Sequence, residues 1–230
     1  MNGPDVAGAY FLVKPGPGVG PGGLTASACL AAMAPGSWAI EWVKVAPGER
    51  EEHARELGIH PELLPQVVDW ATKAFDADFK WPNVLSTPAV AREFRQQFMP
   101  GDVRLIGLGL PADLVDEFLT LAAPPPSSPG YAPNGPSGVY EVLRSRQPLA
   151  TGGRARGYEV LGFGIAGAFC SFRCNQFEAD FQREFGATFN TWGLIDDEAV
   201  ARRCALYAGR PGGGTCADWW HAWAVQEYEF

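Results

Sequence analysis

The alternation of apolar and polar positions is the first signal along the chain. Residues 9–13, AYFLV, form an apolar run of strand length, and residues 37–45, SWAIEWVKV, place Trp38, Ile40 and Trp42 on one face at a period of two. VRLIGLGL (103–110) reads as a strand buried on both faces, and GYEVLGF (157–163) as a further strand. The stretch CADWWHAWAVQEYEF (216–230) is predicted to be a strand, with Trp219, His221, Trp223 and Val225 on one side and Trp220, Ala222 and Ala224 on the other. Tryptophans on both faces imply a strand sandwiched between layers, or one face offered to a partner.

Helical periods fall between these strands. GEREEHAREL (48–57) reads as a charged, exposed helix stopped by Gly58. Pro61 opens a helix to about Phe75 with Leu64, Val67, Val68 and Ala71 inward. Ser86 or Thr87 caps a helix with Pro88 in its first turn. Pro111 starts PADLVDEFLTLA, and DDEAVARRCALYA (196–208) is a helix whose Asp196, Asp197 and Glu198 complement its dipole. CSFRCNQFEADFQREF (170–185) is predicted to be one helix, with Cys170, Cys174, Phe177, Phe181 and Phe185 along one face.

Strands and helices in this non-alternating order predict an α+β fold. The run PPPSSPGYAPNGPSG (124–138) suits neither a helix nor an interior strand. The chain is therefore expected to form two sub-domains, residues 1–123 and 138–230, joined by a Pro/Gly/Ser-rich linker at 124–137. A second such run, PGPGVGPGG (15–23), reads as a loop.

Composition bounds the function. The 230 residues are 47% hydrophobic and 12% aromatic, ample for a buried core. The formal net charge is −8, of which 15 acidic and 9 basic side chains fall in residues 1–137. Such a surface repels phosphate backbones and anionic lipids and suits a basic protein partner, so neither nucleic acid nor membrane is expected. No apolar run approaches the roughly 18–20 residues of a membrane-spanning helix. The segment before Cys29 is too rich in Pro and Gly to form the apolar helix of a lipoprotein signal, and the start of the chain lacks the basic residues of a secretory one. Five cysteines, an odd number in a chain of this size, point to the cytoplasm.

Candidate chemistry is sparse. Gly162, Gly164 and Gly167 spell G-x-G-x-x-G between a strand and the helix expected from Cys170. No acidic residue follows at the spacing a ribose would need, and only a short chain remains for the alternating elements of a dinucleotide fold. GLGLPA (107–112) gives a looser match to the same pattern. With 28 glycines in the chain, packing accounts for both, and no cofactor is expected. Cys170 and Cys174 head a phenylalanine stripe, Cys204 shares a face with Val200, Tyr207 and Ala208, and no C-x-x-C module occurs, so no metal is expected. His53 and His60 read as solvated, and Cys216 with His221 would point to opposite faces. G-x-S-x-G, H-E-x-x-H and P-loop patterns are absent, and no catalytic residue is assigned.

The stretches GYEVLGFGIAGAFCSFRCNQFEADFQREFG, NTWGLIDDEAVARRCALYA and WWHAWAVQEYEF resemble small cytoplasmic bacterial proteins of the toxin-immunity type over roughly the last 75 residues. That resemblance carries no catalytic motif. It implies a binding protein that neutralises one toxin by occlusion. The residues expected to meet a basic partner are Glu49, Glu51, Glu52 and Glu56, Asp113, Asp116 and Glu117, and the aromatic pair Trp219 and Trp223. The alternatives are an enzyme with a dispersed active site and a regulatory or scaffold protein.

Overall fold

The apolar runs among the described residues pair with one another, the first strand of the chain with strands far along it. The computed structural model describes residues 4–13, 51, 59–74, 79–80, 84–99, 101–121, 138–163, 169–212 and 219–230. Seven strands appear in it: β1 (Val6–Val13), β2 (Phe79–Lys80), β3 (Val84–Leu85), β4 (Arg104–Leu110), β5 (Arg154–Phe163), β6 (Phe169–Ser171) and β7 (Trp219–Tyr228). They form one sheet in the order β2-β3-β1-β4-β7-β5-β6, with every neighbouring pair antiparallel. The helices among the described residues are α1 (Leu64–Ala74), α2 (Pro88–Phe98), α3 (Val115–Leu121), α4 (Gly138–Arg144), α5 (Glu178–Phe185) and α6 (Glu198–Ala208). The fold is α+β.

This topology replaces the expected division into two sub-domains. β4 lies before the Pro-rich run and β7 after it, yet they pair directly from Leu105↔Tyr228 to Gly109↔Ala224. Tyr10 and Tyr228 both grip Ala150, one accepting from its N–H at 3.0 Å and the other donating to its carbonyl at 2.8 Å. Arg92 and Arg95 of α2 reach the chain just beyond β7, at the Glu229 carbonyl and the Phe230 ring. Residues 124–137 themselves, and the strand and helix expected at 37–45 and 48–57, lie outside the described residues apart from Glu51, which is helical and exposed.

β7 lies inside the sheet between β4 and β5, and its alternation feeds two cores. Trp223 and Val225 join the larger one, where the Phe118 ring of α3 meets Trp223 edge-on at 5.6 Å and Phe163 at 5.1 Å. Trp220 and Ala222 join the smaller one beneath α5 and α6, where Trp220 meets Phe177 at 5.9 Å. Cys204 is buried there with Ala201, Ala205 and Ala208, and burial pushes its thiol up to about 11.

Local signals set the helix ends. Thr87 caps α2 by accepting from the Val90 N–H at 3.3 Å, and Asp197 caps α6 by accepting from the Val200 N–H at 3.0 Å. Pro61 opens a 3-10 turn that leads into α1, with Leu64 and Val67 buried. The helix expected over 170–185 is instead three pieces: Cys170 lies in β6, Phe172–Asn175 is a 3-10 turn, and α5 begins only at Glu178. Gln176, at φ 57° in the left-handed region, breaks the run. Phe177 and Phe181 keep their inward positions. A further helix, α4, stands where the linker gives way to the chain, burying Val139, Val142 and Leu143.

Candidate functional site

β5 is buried in its second half and exposed at its start, at Arg154 and Ala155, with Arg156 partly covered. Between Ala155 and Gly157 its register with β7 shifts, and Gly157 takes φ +121°. A Cβ there would come within 2.9 Å of the Ile195 carbonyl oxygen and 3.1 Å of the Asn190 amide. Glycine therefore lets a turn close onto the edge of β5, with Tyr158 and Ile195 exchanging backbone hydrogen bonds of 2.7 and 3.0 Å.

Asn190 fixes that turn. Its Oδ1 accepts from the backbone N–H groups of Trp192 and Leu194 at 2.8 and 3.1 Å. Its Nδ2 donates to the Arg156 carbonyl at 2.8 Å and to Asp196 at 2.6 Å. Gly193, at φ +71°, completes the reversal. The Trp192 ring is thereby held under two guanidinium groups, Arg156 at 4.3 Å and Arg104 at 5.0 Å, and Glu227 bridges both arginines.

The result is a cleft of about 450 Å³ with charged walls of both signs. Arg154, Arg156, Trp192, Asp5, Tyr158 and Asp196 are among the residues that line it. Burial raises the Asp5 carboxyl above its usual range, and Glu198 adds to the rise while Arg202 opposes it. Burial, reinforced by Glu198, pushes the Tyr158 hydroxyl up to about 12, so it acts as a hydrogen-bond donor. Behind this wall Arg202 donates to Glu198 at 2.8 Å and to both oxygens of Asp113 at 2.8 and 2.9 Å. The cleft can therefore grip a polar partner at several fixed points. Among the described residues no Ser, Cys or His lines it to serve as a nucleophile.

The residues singled out from sequence lie elsewhere. Asp113 is held by Arg202 and Asp116 by Arg146, so these two acids are paired within the molecule and do not form an open acidic cluster. Glu117 is exposed. Trp223 is 0% exposed, its ring enclosed by core aromatics, which corrects its assignment to a partner-facing surface. Trp219 is half-buried and stacks on Phe163. Glu49, Glu52 and Glu56 lie outside the described residues, as do Gly164 and Gly167. Gly162 pairs with Cys170 across antiparallel strands, so the next described element after β5 is the strand β6, where a dinucleotide turn would lead into a helix. Asp197 serves as a cap, and among the described residues no group of three or more His, Cys, Asp or Glu is placed to hold a metal ion.

Sequence reasoning missed Arg154, Arg156, Asn190 and Trp192. The signals were present: R-x-R at the head of a strand, and N-x-x-G, an Asx-turn pattern, around the tryptophan. No family model matches the chain, and neither a curated protein nor a solved structure matches it. Among the described residues no helix is long and apolar enough to cross a membrane.

Proposed function

We propose that this chain is a binding protein of the immunity type, which occludes a basic toxin with the cleft between the start of β5 and the Asn190–Asp196 turn. The observation that carries this reading is the rigidity of that cleft. Asn190 is used through all its polar atoms and Trp192 is clamped by two arginines, so a partner meets preformed donors and acceptors. Trp, Tyr and Arg, the residue types that dominate binding hot spots, line it. Asp196 supplies an acceptor for a lysine or arginine side chain of the partner. The odd cysteine count supports a cytoplasmic site of action.

Affinity capture from the native cell tests the reading. The wild-type chain should retain one protein, and Asp196→Lys together with Arg154→Glu should lose it while folding normally. Retention by the double variant rejects the cleft as the contact surface.

A second reading, an enzyme with a dispersed site, draws on the raised Asp5 carboxyl beside Tyr158 in the same cleft, an arrangement suited to proton donation. Asp5→Asn separates the two: it would abolish turnover of a small substrate but leave partner capture within about threefold of wild type, a change of under 1 kcal/mol.

A further inference from the structure

Among the described residues the core holds three buried polar side chains, Glu159, Ser171 and His221, and they lie together. Ser171 and His221 flank Leu161 in register on either side, and Glu159 is two residues along β5 from Leu161, on the same face. These are the residue types of an acyl-transfer triad, but the β5 strand separates the serine from the histidine, and the Ser171 hydroxyl donates to Glu159 at 2.5 Å. The cluster is therefore not nucleophilic. Its centre is Glu159, which is 1% exposed and whose second oxygen, Oε2, has no hydrogen-bond partner among the described residues. A buried carboxyl with a single hydrogen bond is far more stable as the neutral acid.

Arg173 connects this carboxyl to the cleft. Its backbone N–H donates to the same Ser171 hydroxyl at 3.3 Å. Its guanidinium donates to the Gly193 carbonyl at 2.9 Å and to Glu178 at 3.2 Å, while Nε is buried with no partner among the described residues. Gly193 is the residue after Trp192 in the turn that shapes the cleft. The groups facing Glu159 are Ser171 from β6, Arg173 from the 3-10 turn and Glu178 from α5. On the same sheet face stands His221 of β7, kept neutral by burial against the pull of Glu117 in α3.

We propose that Glu159 and Arg173 form a proton-operated coupling, in which ionisation of Glu159 draws the Arg173 guanidinium towards it and releases the Gly193 carbonyl. An ionised carboxylate cannot remain unpaired at this depth, and Arg173 is the cation among the described residues whose charge acts on Glu159, with a buried Nε–H that has no partner among them. Losing the Gly193 contact loosens the turn that presents Trp192. The effect on partner capture rests on the cleft being the partner site; the coupling itself does not.

Solution NMR of the full chain between pH 5 and pH 9 tests it. The Glu159 carboxyl carbon, the Arg173 Nε–H and the Gly193 amide should shift together with one midpoint, near the value of about 7 to which burial raises Glu159. In Glu159→Gln the Arg173 and Gly193 signals should stay at their low-pH positions. A Gly193 amide that stays fixed while Glu159 titrates in the wild-type chain overturns the coupling, as does a Gly193 shift unchanged in Glu159→Gln. The wild-type titration decides even if the variant does not fold. If the coupling holds and partner capture is independent of pH, the cleft reading fails and the coupling stands.

Discussion

Asp113 and Arg202 meet fork to fork, with both carboxylate oxygens accepting from the guanidinium at 2.8 and 2.9 Å. The pair ties the 3-10 turn after β4 to α6, and Glu198 completes it from the preceding turn of the same helix. Hydrogen bonding from Arg202 holds the Asp113 carboxyl below its usual range. A carboxylate with a lowered folded-state pKa stabilises above its unfolded value near 3.8, and that contribution is lost as the pH falls through the folded value. Asp113 is half-exposed, so solvent limits the gain. Asp113→Asn should cost about 1 kcal/mol or less at pH 7, and the cost should shrink as the pH falls below the unfolded value, as read by urea denaturation across that range.

Glu159 works in the opposite direction. Its folded-state pKa is raised from 4.5 to about 7, so the folded chain keeps a proton that the unfolded chain has already lost. Stability should fall as the pH rises from about 4.5 to about 7 and then level off, the loss reaching up to about 3 kcal/mol. Glu159→Gln should flatten this profile and be the more stable protein at pH 8. Thermal melts across the range, on both proteins, check the sign.

Trp223→Ala should cost about 3–5 kcal/mol, because it empties a fully enclosed site between Phe118 and Gly8. Trp219→Ala, at a half-buried position, should cost clearly less. Denaturant unfolding of the two variants orders them, and equal costs would contradict the burial difference.

Gly157→Ala places a methyl group against the Ile195 carbonyl at a backbone angle that L-residues rarely adopt. It should destabilise by about 1–3 kcal/mol. Hydrogen exchange should show the change concentrated at Tyr158 and residues 190–195, with the β4–β7 pairing protected as in the wild-type chain.

Periodicity revealed most of the frame. β4 and β7 were legible because continuous apolar runs bounded by turn residues have few other solutions, and α2 and α6 because Thr87 and Asp197 mark their starts. The pairing of β4 with β7 was not legible, since antiparallel partners more than a hundred residues apart leave no local trace; a proline-rich interval between them reads as a boundary. The 170–185 segment misled because its phenylalanines keep helical spacing through a break that rests on one left-handed residue, Gln176. The cleft was hidden for a related reason. Arg156 and Trp192 come together only through a glycine bulge and an asparagine-fixed turn, and charge counting on helices favoured acids that the fold uses in its own ion pairs.

The place of β7 between β4 and β5 has a consequence for how the molecule comes into being. On the ribosome its residues emerge after those of the other six strands, so β4 and β5 must wait with their inner edges unpaired until it arrives. During that interval the nascent chain carries two open edges and a vacant slot for Trp220 and Trp223, which makes it a natural client for chaperones and prone to sticking to its own copies. Insertion of that single strand joins the two halves of the sheet, so maturation is a late, nearly all-or-none event.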